Sequence, residues 1–423
     1  MSRTLASQYA PSFSLIKAHF GAGLLGMIIF SVALVLRASV IHGHFFQPLL
    51  LGLVHLCVLG WLMPITLGAL HQLVPVVFEV PVRSERLAWA AFALYVPAVT
   101  LFITRMWTLE VDALLPVSAT AAALAVWLYA ANLVLTLVRS AQRSLTGACV
   151  ITALLYLVVA VTLGAMLAWH LFVPYLPIAH VALLRAHAHV AGLGFFGLLI
   201  MGVAYRLLEM FLLSHGAPER AGWWAFGAVN AALTFLVAAF LRAADPTLSA
   251  LGLAAGIAGI AAFLVQIGAI FQRRMQRYLD VAWLHISVSF GYLALTALTG
   301  CLLVVVPVDS VASARLHVVY GLVALPGFIG TIVVGQLYKI VPFLVWLHRF
   351  APYVGLKTIP SAGQLLPELP KRLQFVCMHL GMGLLLVGVA VDAPLWRVAG
   401  ASAMAVSAAM VVGSLGFIFA RKP

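Results

Sequence analysis

Charge is scarce in this chain. Asp, Glu, Lys and Arg make up 8% of its 423 residues, against 64% hydrophobic residues. A soluble domain carries roughly 25% charged residues, and one of this length could not hide so much apolar surface. Lipid is therefore the expected solvent for most of these side chains. Acidic residues are scarcer still, 11 against 24 Lys and Arg, for a net charge of +13. The basic residues stand at the ends of apolar runs and form neither a cluster nor a stripe, so nucleic acid is excluded as a partner. Cysteine is limited to Cys57, Cys149, Cys301 and Cys377, all inside apolar runs and none in a C-x-x-C. That excludes a disulfide framework or a thiolate metal site and leaves four small buried apolar residues. No A-x-A site follows the first apolar run, so that run is expected to stay as a helix and not to be cleaved as a signal. There is no low-complexity tail.

Apolar runs fill most of the chain. A span needs about 20 apolar residues, and twelve runs qualify: 15–38, 48–76, 87–105, 113–138, 146–170, 177–213, 222–241, 247–271, 281–307, 314–347, 373–391 and 395–420. The expected fold is an all-α integral membrane protein of about 12 transmembrane helices, one polytopic domain over residues 1–423. The second, sixth and tenth runs exceed a bilayer's thickness and must tilt or protrude. With the N-terminus inside, alternating sides place 18 Lys and Arg on the inner face and 6 on the outer, while the acids divide 6 to 5. A bias confined to Lys and Arg is what the positive-inside rule demands, so both termini are expected on the cytoplasmic side. The longest inner loop, about residues 349–372, holds Pro352, Pro360, Pro367 and Pro370 and reads as a semi-rigid connector.

Three runs share a pattern. The second carries Gly68-Ala-Leu-His-Gln-Leu-Val-Pro75, the sixth Gly202-Val-Ala-Tyr-Arg-Leu-Leu-Glu209, and the tenth Gly335-Gln-Leu-Tyr-Lys-Ile-Val-Pro342. Upstream of each lies histidine: His55 thirteen residues before Gly68, His189 thirteen before Gly202, and His317 eighteen before Gly335. Copies on helices 2, 6 and 10 suggest three groups of four helices about a pseudo-threefold axis.

Histidine inside a membrane helix is costly and usually has a polar purpose. Of the 14 histidines, His19, His71, His285, His348 and His379 fall towards inner helix ends and His215 in an inner loop. His42, His44, His170 and His180 fall near the outer surface. For these an interfacial or capping role is expected. His55, His187, His189 and His317 stand about five to twelve residues inside their outer ends, roughly 8–18 Å deep at 1.5 Å per residue. Imidazoles brought to a similar depth by three helices suit a metal or haem site, since neutral imidazole donates a lone pair to iron or copper. His187 and His189, two apart, point about 200° from one another and can face two sites but not one ion. Arg185 and Arg315 stand where they could pair with haem propionates, or snorkel to the interface. Gly60, Gly192, Gly194, Gly197, Gly321, Gly327 and Gly330 thin the same helices, for a macrocycle or for helix packing.

These residues resemble a known family. His55-Leu-Cys-Val-Leu-Gly-Trp61 and Arg185-Ala-His-Ala-His-Val-Ala-Gly-Leu-Gly194, with histidines on helices 2, 6 and 10 near the outer face, are similar to stretches of the haem–copper oxidase and nitric oxide reductase catalytic subunits. The cbb-type oxidases are the nearest. The resemblance implies a low-spin haem b between helices 2 and 10 with His55 and His317 as axial ligands, and a second redox site at helix 6. It implies a bacterial inner membrane and a redox partner such as a c-type cytochrome, a cupredoxin or a quinol. Two departures stand out. The seventh run, 222–241, has no histidine, and the His-x-His lies on helix 6 instead of helix 10. The oxygen-reducing copper or non-haem iron centre is therefore expected to be incomplete. The competing expectations are a secondary transporter, for which Pro64, Pro75, Pro326 and Pro342 in long helices speak, and a cofactor-poor subunit of a respiratory complex.

Overall fold

The computed structural model describes residues 9–108, 110–307 and 310–422. Arg3 and Asp309, both counted in the charge tally, lie outside them. Among the described residues twelve helices are long and apolar enough to cross a membrane, and there is no strand. They are α1 Phe13–Val40, α2 Pro48–Val77, α3 Glu85–Thr108, α4 Leu114–Leu137, α5 Leu145–Phe172, α6 His180–Leu212, α7 Arg220–Leu241, α8 Pro246–Gln272, α9 Val281–Val305, α10 Val311–Tyr353, α11 Glu368–Ala390 and α12 Pro394–Ala420. Large apolar side chains such as Leu25, Leu155, Val265 and Val305 are more than half exposed, as lipid-facing residues must be. The chain is a multi-pass membrane protein.

Helix starts follow local chemistry. Ser144, Asp245 and Ser310 cap α5, α8 and α10 by accepting from the N–H groups of Gly147, Leu248 and Ser313. The connector after α10 is shorter than the apolar pattern suggests, because α11 begins at Glu368. Lys371 continues that helix though buried, since its ammonium meets Glu368 at 2.6 Å.

Packing divides the chain into two units. One comprises residues 1–15 and Leu70–Tyr278, thus the inner end of α2 with α3 to α8. The other comprises Ile16–Ala69 and Leu279–Pro423, thus α1, the outer part of α2 and α9 to α12.

The motif helices carry a feature that the apolar pattern conceals. Each turns from α to π winding in its outer half: Leu56–Leu62 in α2, Val190–Gly197 in α6 and Val323–Gly330 in α10. Glycine and proline cause it. Pro64 has no N–H for the Gly60 carbonyl, and Pro326 none for that of Leu322. In α6 glycines act without proline, Gly192, Gly194 and Gly197 all falling in the segment.

Each π-wound helix then packs closely on the helix preceding it. A Cβ on Gly68 would lie 2.7 Å from the Cβ of His19, on Gly202 2.4 Å from that of Cys149, and on Gly335 2.9 Å from that of His285. Eight residues earlier the contact recurs. Gly60 meets Gly26, Gly194 meets Tyr156 and Gly327 meets Tyr292, each partner seven residues beyond the first. The pairing α1–α2, α5–α6 and α9–α10 is thus one antiparallel arrangement in three copies, one in the first unit and two in the second.

Candidate ligand histidines and the cavity beside His317

The three motif helices hold their histidines by the same bond. Nδ1 of His55 lies 2.7 Å from the Leu51 carbonyl, Nδ1 of His189 2.8 Å from that of Arg185, and Nδ1 of His317 2.8 Å from that of Ser313. Each acceptor is four residues back along its own helix. A carbonyl only accepts, so Nδ1 carries the proton and Nε2 the lone pair. A ring N–H given to a backbone carbonyl orients a metal-ligating imidazole and raises its basicity.

The first unit holds His187 and His189, and it splays them. His187 turns to α5, where Nδ1 donates to the Ala160 carbonyl at 2.9 Å and the ring covers Gly164. His189 turns to α7 and packs on Phe240, ring centroids 4.8 Å apart. Their separation along the helix leads each to a different neighbour.

The second unit holds His55 and His317. A cavity of about 100 Å³ opens between α1, α2 and α10, lined by Phe30, Leu34, Phe45, Cys57, His317 and Pro326 among others. His317 borders it, stacked on Phe45 at 4.6 Å between ring centroids. Leu50, Leu53 and Val54 of α2 also line it, whereas His55 does not. The glycine register explains this. Thirteen residues before Gly68 and Gly202 stand His55 and His189, but thirteen before Gly335 stands Leu322. His317 lies five positions further out, about 7.5 Å at the α-helical rise.

Arg315 does not stand alone at the outer end. Its guanidinium meets Asp392 at 3.0 Å and the Ala390 carbonyl at 3.3 Å. Asp392 also accepts from Arg397 at 2.7 Å, and Arg397, only 1% exposed, reaches the Ser39 carbonyl at 2.7 Å. The hydrogen bond from Arg397, then the charges of Arg315, Arg397 and His42, hold the Asp392 carboxyl below the usual carboxylate range. Two arginines around one carboxylate make this corner of the second unit electropositive. The sequence marks Arg397 only as an outer-side basic residue, and the turn at Asp392 (φ 56°) is what folds it back. Arg185 enters the first unit's site through its carbonyl, which holds His189.

Among the described residues no group of three or more His, Cys, Asp or Glu could hold a metal ion. No protein-family model matches the chain, and no characterised protein matches it significantly.

Proposed function

We propose that this chain is a haem-binding protein of a bacterial inner membrane, akin to the central subunit of the haem–copper oxidases, that transfers electrons or handles a diatomic gas such as oxygen or nitric oxide. The observation that carries this reading is the repeated bond from Nδ1 to the carbonyl four residues back in His55, His189 and His317. It sets the same Nε2 lone pair on three separate helices, and haem iron takes neutral imidazole in that form.

The donor chemistry of the second unit fits haem b. His317 offers the ligand beside an apolar cavity, and the Arg315–Arg397 corner suits anionic propionates. The cavity itself is too small for a macrocycle, so the Phe45 segment must part from His317 to admit one. His55, on the same unit's α2, would be the second imidazole donor. Bound there, haem would supply a one-electron couple, while the chain's own residues set its orientation, its dryness and the charge at its edge. A c-type cytochrome, a cupredoxin or a quinol would then be the electron donor.

A pyridine haemochrome assay with visible spectra tests this on the purified protein, His317→Ala and His55→Ala. A Soret band is expected in the wild type and its loss in His317→Ala. His55→Ala is expected to lose haem or turn it high-spin. Haem content and spectrum unchanged in both variants would remove His55 and His317 as the residues that would hold it. A colourless wild type would favour the transporter reading, which the π-wound, proline-interrupted helices also support.

A further inference from the structure

The second unit contains a buried polar cluster that the haem reading does not use, between α9, α11 and α12. His285 is fully buried. Its Nε2 lies 2.9 Å from Oε1 of Gln374. The Gln374 amide nitrogen is committed to the Ser407 hydroxyl at 2.9 Å and to the sulfur of Met378 at 3.7 Å. Oε1 is therefore the acceptor, Nε2 of His285 carries its proton, and Nδ1 carries a lone pair. That Nδ1 is buried without a partner. His379 stands beside it, ring centroids 5.4 Å apart, with Nδ1 3.2 Å from the Tyr292 hydroxyl. Its Nε2 is likewise buried without a partner.

With the Tyr292 hydroxyl donating to Nδ1 of His379, the polarity runs unbroken from Tyr292 to His379, then from His285 to Gln374 and Ser407. The one open link lies between the two imidazoles. Leaving two polar nitrogens unpaired in a helix bundle is costly. A bridge between the rings has to satisfy a lone pair on one and a proton on the other, directly or through one water.

A pocket adjoins the cluster. It measures about 340 Å³ and is lined by Asp280, Glu368, Arg372 and Phe375 with aliphatic neighbours. Asp280 gives one oxygen to Lys339 at 2.7 Å, and Glu368 gives one to Lys371 at 2.6 Å. The second oxygen of each carboxylate is buried without a partner. Phe375 is the wall between pocket and cluster, its ring centroid 5.0 Å from that of His285 and 4.4 Å from that of His379. The other titratable groups around the pair are Tyr292 of α9, Tyr338 of α10 at 6.1 Å from His285, and, at the mouth, Lys339, Lys371 and Arg372 with the two carboxylates. From α12 the contact is the neutral Ser407 hydroxyl.

We propose that His285 and His379 form a proton-binding site inside the membrane, loaded from the Asp280–Glu368 pocket past Phe375. Loading forms an N–H bond at Nδ1 of His285, the unpartnered nitrogen that keeps a lone pair, while an O–H bond of a pocket hydronium breaks, and no electron changes hands. Each imidazole can take a proton on one nitrogen and release one from the other. The site does not depend on haem, so it would serve a redox protein or a transporter alike.

Hydrogen exchange tests it on the full chain. The protein, labelled with ¹⁵N-histidine and reconstituted in liposomes, is moved into D₂O and its ring N–H signals are followed by solid-state NMR. His285→Gln and His379→Gln assign the two rings. Exchange within minutes is expected in the wild type, slowed about ten-fold or more when Phe375→Trp plugs the wall. The two Gln variants should each shift the ring signals of the remaining histidine. Wild-type rings that fail to exchange over days, or exchange at an equal rate in Phe375→Trp, would overturn the proposal. So would a stoichiometric metal ion in the wild type that both Gln variants lose. Should neither Gln variant fold, specific ¹³C,¹⁵N coupling to Gln374 and Phe375 assigns the rings instead, and the Phe375→Trp comparison still decides.

Discussion

A histidine in a membrane helix is defined by what its ring nitrogens touch. His55, His189 and His317 all spend Nδ1 on their own helix, whereas His285 spends Nε2 on another and keeps its lone pair on Nδ1. The composition gives no hint of that difference. Depth along the sequence misled for the inner histidines: His19, His71 and His285 stand near helix ends yet are at most 1% exposed. At the outer corner Asp392 holds two arginines. Its folded pKa is depressed, so its contribution to stability is present above the unfolded value near pH 4 and is lost as pH falls through the lower folded value. Asp392→Asn should therefore lower the melting temperature at neutral pH, with the gap to wild type closing as pH falls through the depressed folded value. Adding Arg397→Met should recover part of the loss, because it removes the buried charge left unpaired. Melting curves of the single and double variants in detergent check both statements.

Elements in this protein are shaped by where carbonyls lose their donors. Gly60 lies in the π segment of α2, and Pro64 withholds the N–H its carbonyl would receive. A Cβ on Gly26 would stand 1.9 Å from that carbonyl oxygen. Gly26→Ala should destabilise by about 1–3 kcal/mol or more, as overpacking does. Gly21→Ala, with nothing within 4 Å of its new Cβ, should be neutral or stabilising. The same comparison in the third copy, Gly335→Ala beside His285 against Gly291→Ala in open space, should repeat the contrast. Thermal shifts of the four variants measure it. The motif glycines were legible as a repeat. Their partners on α1, α5 and α9 were not, because Cys149 stands where the other two copies have His19 and His285, and the three share a place, not a residue type.

At the scale of the whole molecule the Lys and Arg distribution predicts that both termini lie inside. With the native cysteines replaced, His215→Cys should react with an impermeant thiol reagent only in inside-out vesicles, and Glu110→Cys only in intact cells; the reverse pattern would invert the topology. Sequence alone determined that lipid is the solvent, that the helices number twelve, and that α2, α6 and α10 are alike. Hydropathy, length and spacing are properties of one segment at a time and need no neighbour. Tertiary structure decided which imidazoles border a cavity, that Arg397 joins Arg315 on Asp392, and that His285 and His379 share a buried site. Those depend on the side from which another helix approaches, and glycines set that approach through the side chains they leave out.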